Sequence, residues 1–123
     1  MKTSQKTSAR TLAAFFALAG AGAAFAQDNA PEPAAYEPLK QLMQKNNCTA
    51  CHYVDKRKYG PTFLEVAKKY EKADKATLNK LAKKMRAGGS GVWGQDPMPP
   101  QPQLAQADAQ QMVKLILALN TKD

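Results

Sequence analysis

Cys48-Thr49-Ala50-Cys51-His52 is the most informative stretch of this sequence, because C-x-x-C-H is the spacing that attaches a c-type haem. The two thiols can form thioethers with the two vinyl groups on one porphyrin edge, and the adjacent imidazole can bind the iron. The sequence has two cysteines and one histidine, and all of them lie within these five residues. The motif therefore predicts one covalently bound haem c, attached at Cys48 and Cys51, with His52 as an axial iron ligand.

The motif has three other interpretations. A thiol–disulfide redox site expects a βαβ context, but a helical pattern precedes Cys48 and no strand pattern is visible. A structural zinc site needs a fourth ligand and usually a second Cys or His pair, and the sequence contains neither. The third is a plain disulfide beside an unrelated histidine. The export signal described next favours haem attachment, because an oxidising compartment would oxidise two unused thiols.

The first 26 residues have the layout of a secretory signal peptide. Lys2, Lys6 and Arg10 precede an apolar run, Ala24-Phe25-Ala26 has the form of a cleavage site, and the chain then turns polar. A membrane anchor needs about 20 strongly apolar residues, whereas this run is shorter and consists mostly of alanine and glycine. We predict a Sec-type signal at 1–26 that is removed, a periplasmic location, and no stable membrane insertion.

The remaining sequence predicts an extended leader at 27–37, rich in proline and alanine, and a single all-α domain at 38–123. Thr62 and Asp74 are positioned as N-caps of two helices, Gly88 ends the second of these, and the last helix is predicted to start near Asp108. Long loops are expected at 51–60 and 88–107. The apolar residues repeat at helical spacing in four groups: Leu39, Leu42 and Met43; Phe63, Val66, Ala67 and Tyr70; Leu78, Leu81, Ala82 and Met85; Met112, Val113, Ile116, Leu117 and Leu119.

Met98 is the candidate for the second axial ligand. Pro97 and Pro99 flank it and restrict its backbone, so little chain entropy is lost when its thioether meets the iron. A soft sulfur ligand favours Fe(II) and raises the reduction potential. The other methionines of the folded region lie on helical apolar stripes and are predicted to fill the core. A lysine, a tyrosine or an open position remain the other readings of the sixth site.

Four motifs together resemble the class I c-type cytochromes, and most of all the small single-haem bacterial carriers of the c-551 or c8 type. The motifs are Cys48–His52, Gly60-Pro61, Val92-Trp93-Gly94 and Pro97-Met98-Pro99-Pro100. The resemblance covers the sequence from about Tyr36 to Asn120. The resemblance implies a small cytochrome c fold, in which four to five helices pack around one covalently bound haem.

The resemblance also implies roles for single residues. The Pro61 carbonyl would accept a hydrogen bond from the second ring nitrogen of His52, which fixes the orientation of the ligand. The indole N–H of Trp93 would donate to a haem propionate, with simple packing as its other reading. The family often has an arginine for a propionate near the end of the third helix, where this sequence offers Lys84 and Arg86. Lysine cannot form the same fork of hydrogen bonds.

The expected function is that of a soluble periplasmic one-electron carrier, not an enzyme, with both axial positions of the haem iron filled. The alternative is a haem enzyme or gas sensor whose sixth position is open or labile. The expected partners are a redox-protein donor and acceptor, of the respiratory complex, nitrite reductase or terminal oxidase type, and the protein is expected to be a monomer. The formal net charge is +8. Many of the basic residues lie on the predicted helices, and three more form the run Lys56-Arg57-Lys58. A subset of these could steer an acidic partner, whereas no nucleic-acid-binding motif accompanies the charge.

Overall fold

The structure of the protein is a computed structural model that describes residues 33–120. The predicted signal peptide at 1–26 and most of the predicted leader lie outside the described residues. The helices are α1 (Tyr36–Lys45), a single 3-10 turn (Cys48–Ala50), α2 (Phe63–Lys69), α3 (Lys75–Ala87) and α4 (Gln106–Ala118). Within 33–120 the only β-type pairing is an isolated antiparallel bridge between Gly89 and Met98. The all-α prediction is confirmed.

Helix α1 begins at Tyr36, inside the segment predicted to be extended, so the predicted leader ends two residues too late. Pro38 is the third residue of the helix, where a backbone N–H would have no partner within the helix, and proline is tolerated in this first turn. The Tyr36 N–H donates to the Pro33 carbonyl at 2.8 Å and turns the chain into the helix. Beyond the helix, Asn47 takes a left-handed conformation, with φ of 57°, and leads the chain into the cysteine motif.

Both predicted N-caps are present. The Thr62 hydroxyl accepts the Glu65 N–H at 3.0 Å, and the Glu65 carboxylate accepts the Thr62 N–H at 2.8 Å, which completes a capping box. The Asp74 carboxylate accepts the Thr77 N–H at 2.7 Å and caps α3. Hydrogen bonds from Thr77 lower the pKa of Asp74. These local signals therefore fix where α2 and α3 begin.

Helix α4 packs against each of the other three α-helices and carries the centre of the core. Met112 is fully buried, and Ala109, Val113 and Ile116 are buried beside it. The helix begins at Gln106, two residues earlier than predicted. The predicted start is Asp108, whose carboxylate instead pairs with the Lys45 ammonium at 2.9 Å and joins α4 to α1. No helix within 33–120 is both long enough and apolar enough to cross a membrane.

Candidate haem site

His52 is held on several sides by short contacts. Its backbone N–H donates to the Cys48 carbonyl at 2.9 Å, and its ring stacks on Phe63 with the ring centroids 5.2 Å apart and the planes 17° apart. The side chain is buried, and Nδ1 lies 2.9 Å from the Pro61 carbonyl oxygen. A carbonyl oxygen can only accept, so Nδ1 carries the proton of this hydrogen bond. The tautomer with its proton on Nδ1 has its lone pair on Nε2, which is the form that binds a metal.

Gly60 lets the loop after the motif fold back onto the His52 ring. A β-carbon at this position would lie 2.6 Å from Nδ1 and 2.8 Å from Nε2 of His52, far inside van der Waals contact. The Gly60 N–H donates to the Cys51 carbonyl at 3.1 Å and closes the loop. In the sequence, Gly60 stands out only as part of the Gly-Pro motif. Its role in making room for the imidazole depends on the folded loop, and Phe63 was assigned to a core stripe without its stacking partner.

The two cysteines lie half-buried on one wall of a cleft, at the two ends of a single turn. Cys48 opens the 3-10 turn, and the Cys51 N–H donates back to the Cys48 carbonyl at 3.1 Å. Burial raises the pKa of the Cys48 thiol, which is the opposite of the lowered pKa of cysteines in thiol–disulfide exchange motifs. This environment does not favour the redox-thiol interpretation of the motif.

All six residues predicted for the site line one open cleft of about 1180 Å³: Cys48, Cys51, His52, Pro61, Trp93 and Met98. The walls of this cleft are mostly apolar, as the walls of cofactor pockets are. Val66 of α2, Leu81 of α3 and Ile116 of α4 supply apolar wall. Two thiols, an imidazole lone pair and a thioether in one apolar cleft form the donor set of a covalently attached haem, so the residues fit that group.

Met98 is fixed to the end of α3 through its backbone. The Gly89 N–H donates to the Met98 carbonyl at 2.9 Å, and the Met98 N–H donates to the Gly89 carbonyl at 3.0 Å. Gly88 has φ of +71°, and a β-carbon there would collide with the Met98 carbonyl oxygen and lie 2.8 Å from the Pro99 carbonyl carbon. The two glycines that end α3 therefore allow the Met98 segment to lie directly against the helix terminus.

Three methionines line the cleft: Met85, Met98 and Met112. Sequence analysis assigned Met85 and Met112 to the core, and Met112 is indeed fully buried on α4. Met85 is partly buried on α3 and packs against the core cluster. Only Met98 stands on a loop whose backbone is held by a reciprocal pair of hydrogen bonds.

Trp93 lines the cleft, and its ring also lies under the Lys69 ammonium, 5.3 Å from the ring centroid. This contact joins the last residue of α2 to the loop that carries Met98. Of the two basic residues considered for a propionate, Lys84 lines the cleft. Arg86 is engaged elsewhere, because its Nε donates to the Leu104 carbonyl at 2.8 Å. Sequence analysis found no signal for either long-range contact.

Comparison with known proteins gives consistent results. Residues 36–120 match the family model described as cytochrome c. The chain is 48% identical over 79 residues to cytochrome c-552 of Nitrosomonas europaea, covering 63% of this chain and 75% of that protein. It is 44% identical over 80 residues to cytochrome c-552 of Hydrogenobacter thermophilus, covering 65% of this chain and 80% of that protein.

Solved structures show the same similarity in three dimensions. The crystal structure of wild-type Nitrosomonas europaea cytochrome c552 matches with a TM-score of 0.62 at 44% identity, covering 66% of this chain and 99% of that chain. The class 1 cytochrome MtoD of Sideroxydans lithotrophicus ES-1 matches with a TM-score of 0.55 at 29% identity, covering 68% of this chain and 94% of that chain. The segment matched by the family model contains every residue of the cleft described above.

Proposed function

This chain belongs to the cytochrome c family of haem-containing electron carriers, and from that premise we propose that His52 and Met98 are the two axial ligands of its iron. The cofactor is one haem c, bound covalently through Cys48 and Cys51. The protein is an electron-transfer protein and not an enzyme. We further propose that it works in the periplasm.

One observation supports the proposed ligation above all. His52 and Met98 line the same cleft; a hydrogen bond to Pro61 orients the His52 ring, and two bonds with Gly89 hold the Met98 backbone. A ligand held in place beforehand loses little entropy on binding, and the bond to Pro61 also raises the basicity of the imidazole. With His52 and Met98 both bound to the iron, a substrate would have no coordination site on the metal.

The side chains of the cleft have distinct tasks in this mechanism. The haem supplies a reversible one-electron change between Fe(III) and Fe(II). Cys48 and Cys51 would hold the haem covalently, His52 would bind the iron through Nε2 while its Nδ1–H donates a hydrogen bond to the Pro61 carbonyl, and the Met98 sulfur would favour the reduced state. The Phe63 ring covers one face of the imidazole and limits the access of water to it.

The proposed ligation is tested by replacing each cleft methionine with leucine in the haem-loaded protein. Ferric protein with methionine ligation has a weak near-infrared sulfur-to-iron absorption band. We expect Met98→Leu to abolish this band, and Met85→Leu and Met112→Leu to keep it. The two control variants alter the same cleft, so a general disturbance of packing would affect all three. If a control variant lost the band while Met98→Leu kept it, the control methionine would be the sulfur ligand, and the proposed role of Met98 would be wrong.

The alternative function, a haem enzyme or gas sensor, predicts a different result for the unmodified protein. An open sixth position would give no sulfur band, and the ferrous protein would bind carbon monoxide readily at neutral pH. In the proposed six-coordinate carrier, carbon monoxide has to compete with Met98 for the iron. Its binding at neutral pH is therefore expected to be slow and weak. Ready binding without a sulfur band would overturn the carrier proposal.

The periplasmic location is supported by the signal-like first 26 residues and by the covalent haem motif. We expect the mature protein to begin at Gln27 and to appear in the periplasmic fraction of the producing cell. Mass spectrometry of the purified protein tests both the cleavage point and the added mass of one haem. A mature chain that still carries Met1 would contradict the cleavage proposal.

We propose that the electron-transfer partners carry acidic surfaces that dock at a basic groove beside the haem cleft. Six lysines line this groove between the end of α2 and the length of α3: Lys68, Lys69, Lys72, Lys80, Lys83 and Lys84. The groove shares Leu81, Lys84 and Val92 with the haem cleft, so a partner seated there would lie next to the cofactor. The shared wall is what makes this groove the preferred docking surface.

The second basic cluster, Lys56-Arg57-Lys58, is less suited to docking because it is smaller and a carboxylate lies against it. The Arg57 guanidinium lies 3.4 Å from the Glu65 carboxylate, which partly balances the charge of the three residues. The groove instead concentrates six lysines around a single acidic residue, Glu71.

The docking proposal is tested with ferricyanide, an anionic oxidant, acting on the ferrous protein at several salt concentrations. Lys80→Glu is expected to slow the oxidation several-fold at low salt, and the difference from the parent should shrink as salt screens the charge. Lys114→Glu makes the same charge change on the exposed side of α4 and is the matched control. Equal slowing by both variants would mean that net charge, and not this groove, governs the encounter.

A further inference from the structure

The side chain and the backbone of Arg86 both hold the segment that follows Met98. The Arg86 carbonyl accepts the Gln101 N–H at 2.8 Å. Its Nε donates to the Leu104 carbonyl at 2.8 Å, and its Nη1 donates to the Gln106 side-chain oxygen at 3.2 Å. One residue in the last turn of α3 is therefore bonded to three residues of the returning chain.

These contacts place Met98 between two points of attachment to the end of α3. The first is the reciprocal pair of hydrogen bonds with Gly89, and the second is the set made by Arg86 from Gln101 onward. Leu104 is 1% exposed, so the carbonyl that Arg86 binds belongs to a residue anchored in the core. Arg86 is itself half-buried and so are these bonds, and hydrogen bonds from a charged donor gain strength when water is partly excluded.

We propose that Arg86 is a positioning residue for the iron ligand Met98, an inference that rests on the ligation proposed above. By fixing the chain on the far side of Met98, Arg86 prevents the loop from hinging away from α3 about the Gly89 bridge. The thioether then stays at the iron, and competing ligands find the sixth position closed. Arginine suits this task because its planar fork directs two donors to two acceptors at once, which a lysine ammonium on a flexible stem does not do.

By its position near the end of the third helix, Arg86 is also a candidate partner for a haem propionate. The contacts above occupy its Nε and Nη1 on the side of the loop and α4, and Arg86 is not among the residues that line the cleft. Its effect on the cofactor is thus indirect, through the Met98 segment. A residue with such a role should alter the ligation equilibrium of the iron without altering the attachment of the haem.

The test compares four variants of the haem-loaded protein with the parent. Arg86→Met removes the fork, and Arg86→Lys keeps the charge but not the paired donors. Lys114→Met removes one exposed charge, and Thr62→Ala removes the cap of α2, which destabilises the protein away from the loop. The first readout is an imidazole titration of the ferric protein, monitored through the loss of the near-infrared band. The second is amide hydrogen exchange at Met98 and Gly89.

We expect Arg86→Met to bind imidazole about tenfold more tightly than the parent, a change equivalent to about 1.4 kcal/mol. The Met98 and Gly89 amides should exchange about tenfold faster in the same variant, because opening of the loop becomes easier. Arg86→Lys should fall between this variant and the parent. Lys114→Met and Thr62→Ala should bind imidazole as the parent does.

Unchanged imidazole binding in Arg86→Met would overturn the inference, and so would an equal change in Thr62→Ala, which would make the effect one of general stability. Failure of the underlying ligation is seen separately, because the parent protein would then lack the near-infrared band altogether. In that case the role of Arg86 toward a ligand is also rejected, while the exchange rates still report whether Arg86 holds the loop.

Discussion

The Pro61 carbonyl oxygen lies 2.9 Å from Nδ1 of His52, nine residues away in the chain. The acceptor is a backbone atom, so the bond depends on the path of the loop and not on a particular side chain at that position. The loop is closed by the Gly60 N–H, which donates to the Cys51 carbonyl at 3.1 Å. The orientation of the proposed iron ligand is thus set by two backbone contacts that flank the same glycine.

The first prediction concerns Gly60→Ala. A β-carbon at this position would lie 2.6 Å from Nδ1 of His52, so the ring or the loop has to move. We expect the free energy of unfolding to fall by roughly 1–3 kcal/mol, as for other overpacked sites, and the resonances of the His52 ring to shift. Denaturant unfolding and NMR of the haem-loaded protein measure the two effects.

Pro61→Ala is the companion variant, because it keeps the accepting carbonyl and removes only the proline ring. The His52 ring resonances should stay close to their parent positions in this variant. If Gly60→Ala left both stability and the ring resonances unchanged, the close approach of residue 60 to the imidazole would be wrong.

The second prediction concerns Gly88→Ala, with Gly91→Ala as a control for backbone strain. Both glycines have positive φ, of +71° and +103°, and a side chain in such a conformation costs about 1–2 kcal/mol. Only the Gly88 substitution also collides with the Met98 carbonyl, whereas a β-carbon at Gly91 meets no atom within 4 Å. Gly88→Ala should therefore weaken the near-infrared band, and Gly91→Ala should keep it. Equal bands in the two variants would refute a specific effect on the Met98 segment.

The third prediction concerns the cation–π contact between Lys69 and Trp93, 5.3 Å from ammonium to ring centroid. A double-mutant cycle with Lys69→Met and Trp93→Leu should give a coupling free energy of about 0.5–1 kcal/mol at low salt. The same cycle with Lys68→Met, one residue earlier on α2, is the control and should give a coupling near zero. Unfolding by denaturant supplies the four free energies of each cycle, and equal coupling for the two lysines would reject the contact.

The fourth prediction concerns the pH dependence of the capping box. The backbone N–H of Thr62, and to a smaller extent Arg57, lower the pKa of Glu65 below its ordinary value of 4.5. A lowered pKa in the folded state contributes stability above the ordinary value, and this contribution is lost as the pH falls through the lowered pKa. Glu65→Gln still supplies a capping side chain but cannot titrate. The parent should therefore exceed this variant in stability at pH 7, and the difference should shrink below about pH 4.5.

Thr62→Ala tests the other half of the same capping box. Loss of the hydroxyl should lower the free energy of unfolding by about 1 kcal/mol, at all pH values where the parent is folded. Thermal or denaturant unfolding between pH 3 and pH 7 measures both variants. A Glu65→Gln difference that grew toward low pH would contradict the assigned direction of the Glu65 pKa.

The features that sequence analysis could predict are those fixed by residues close together in the chain. The haem motif occupies five consecutive residues, and the Thr62 and Asp74 caps act on an N–H three positions further on. The helical apolar stripes are equally local. Asp108 misled the prediction of where α4 begins, because its carboxylate pairs with Lys45 on a different helix. No spacing within α4 reveals that partner.

The contacts around Met98 could not be predicted, for a different physical reason. The flanking prolines indicate a stiff loop, but they do not say which atoms hold it. Arg86 reaches Leu104 across 18 positions, and Lys69 reaches Trp93 from another helix. Charge and spacing alone do not distinguish a contact with these partners from a contact of Arg86 or Lys69 with water or a propionate. Only the path of the folded chain selects the partner.

Each proposed ligand has a hydrogen-bond partner nine residues away in the chain: His52 is bonded to Pro61, and Met98 to Gly89. Closing a loop of about ten residues takes about 10–100 ns and little entropy. Each half of the site can therefore assemble early from its own segment, without waiting for the rest of the chain. The slower, long-range event is the docking of α4 against the other helices, which makes substitutions in its core the ones expected to control the folding rate.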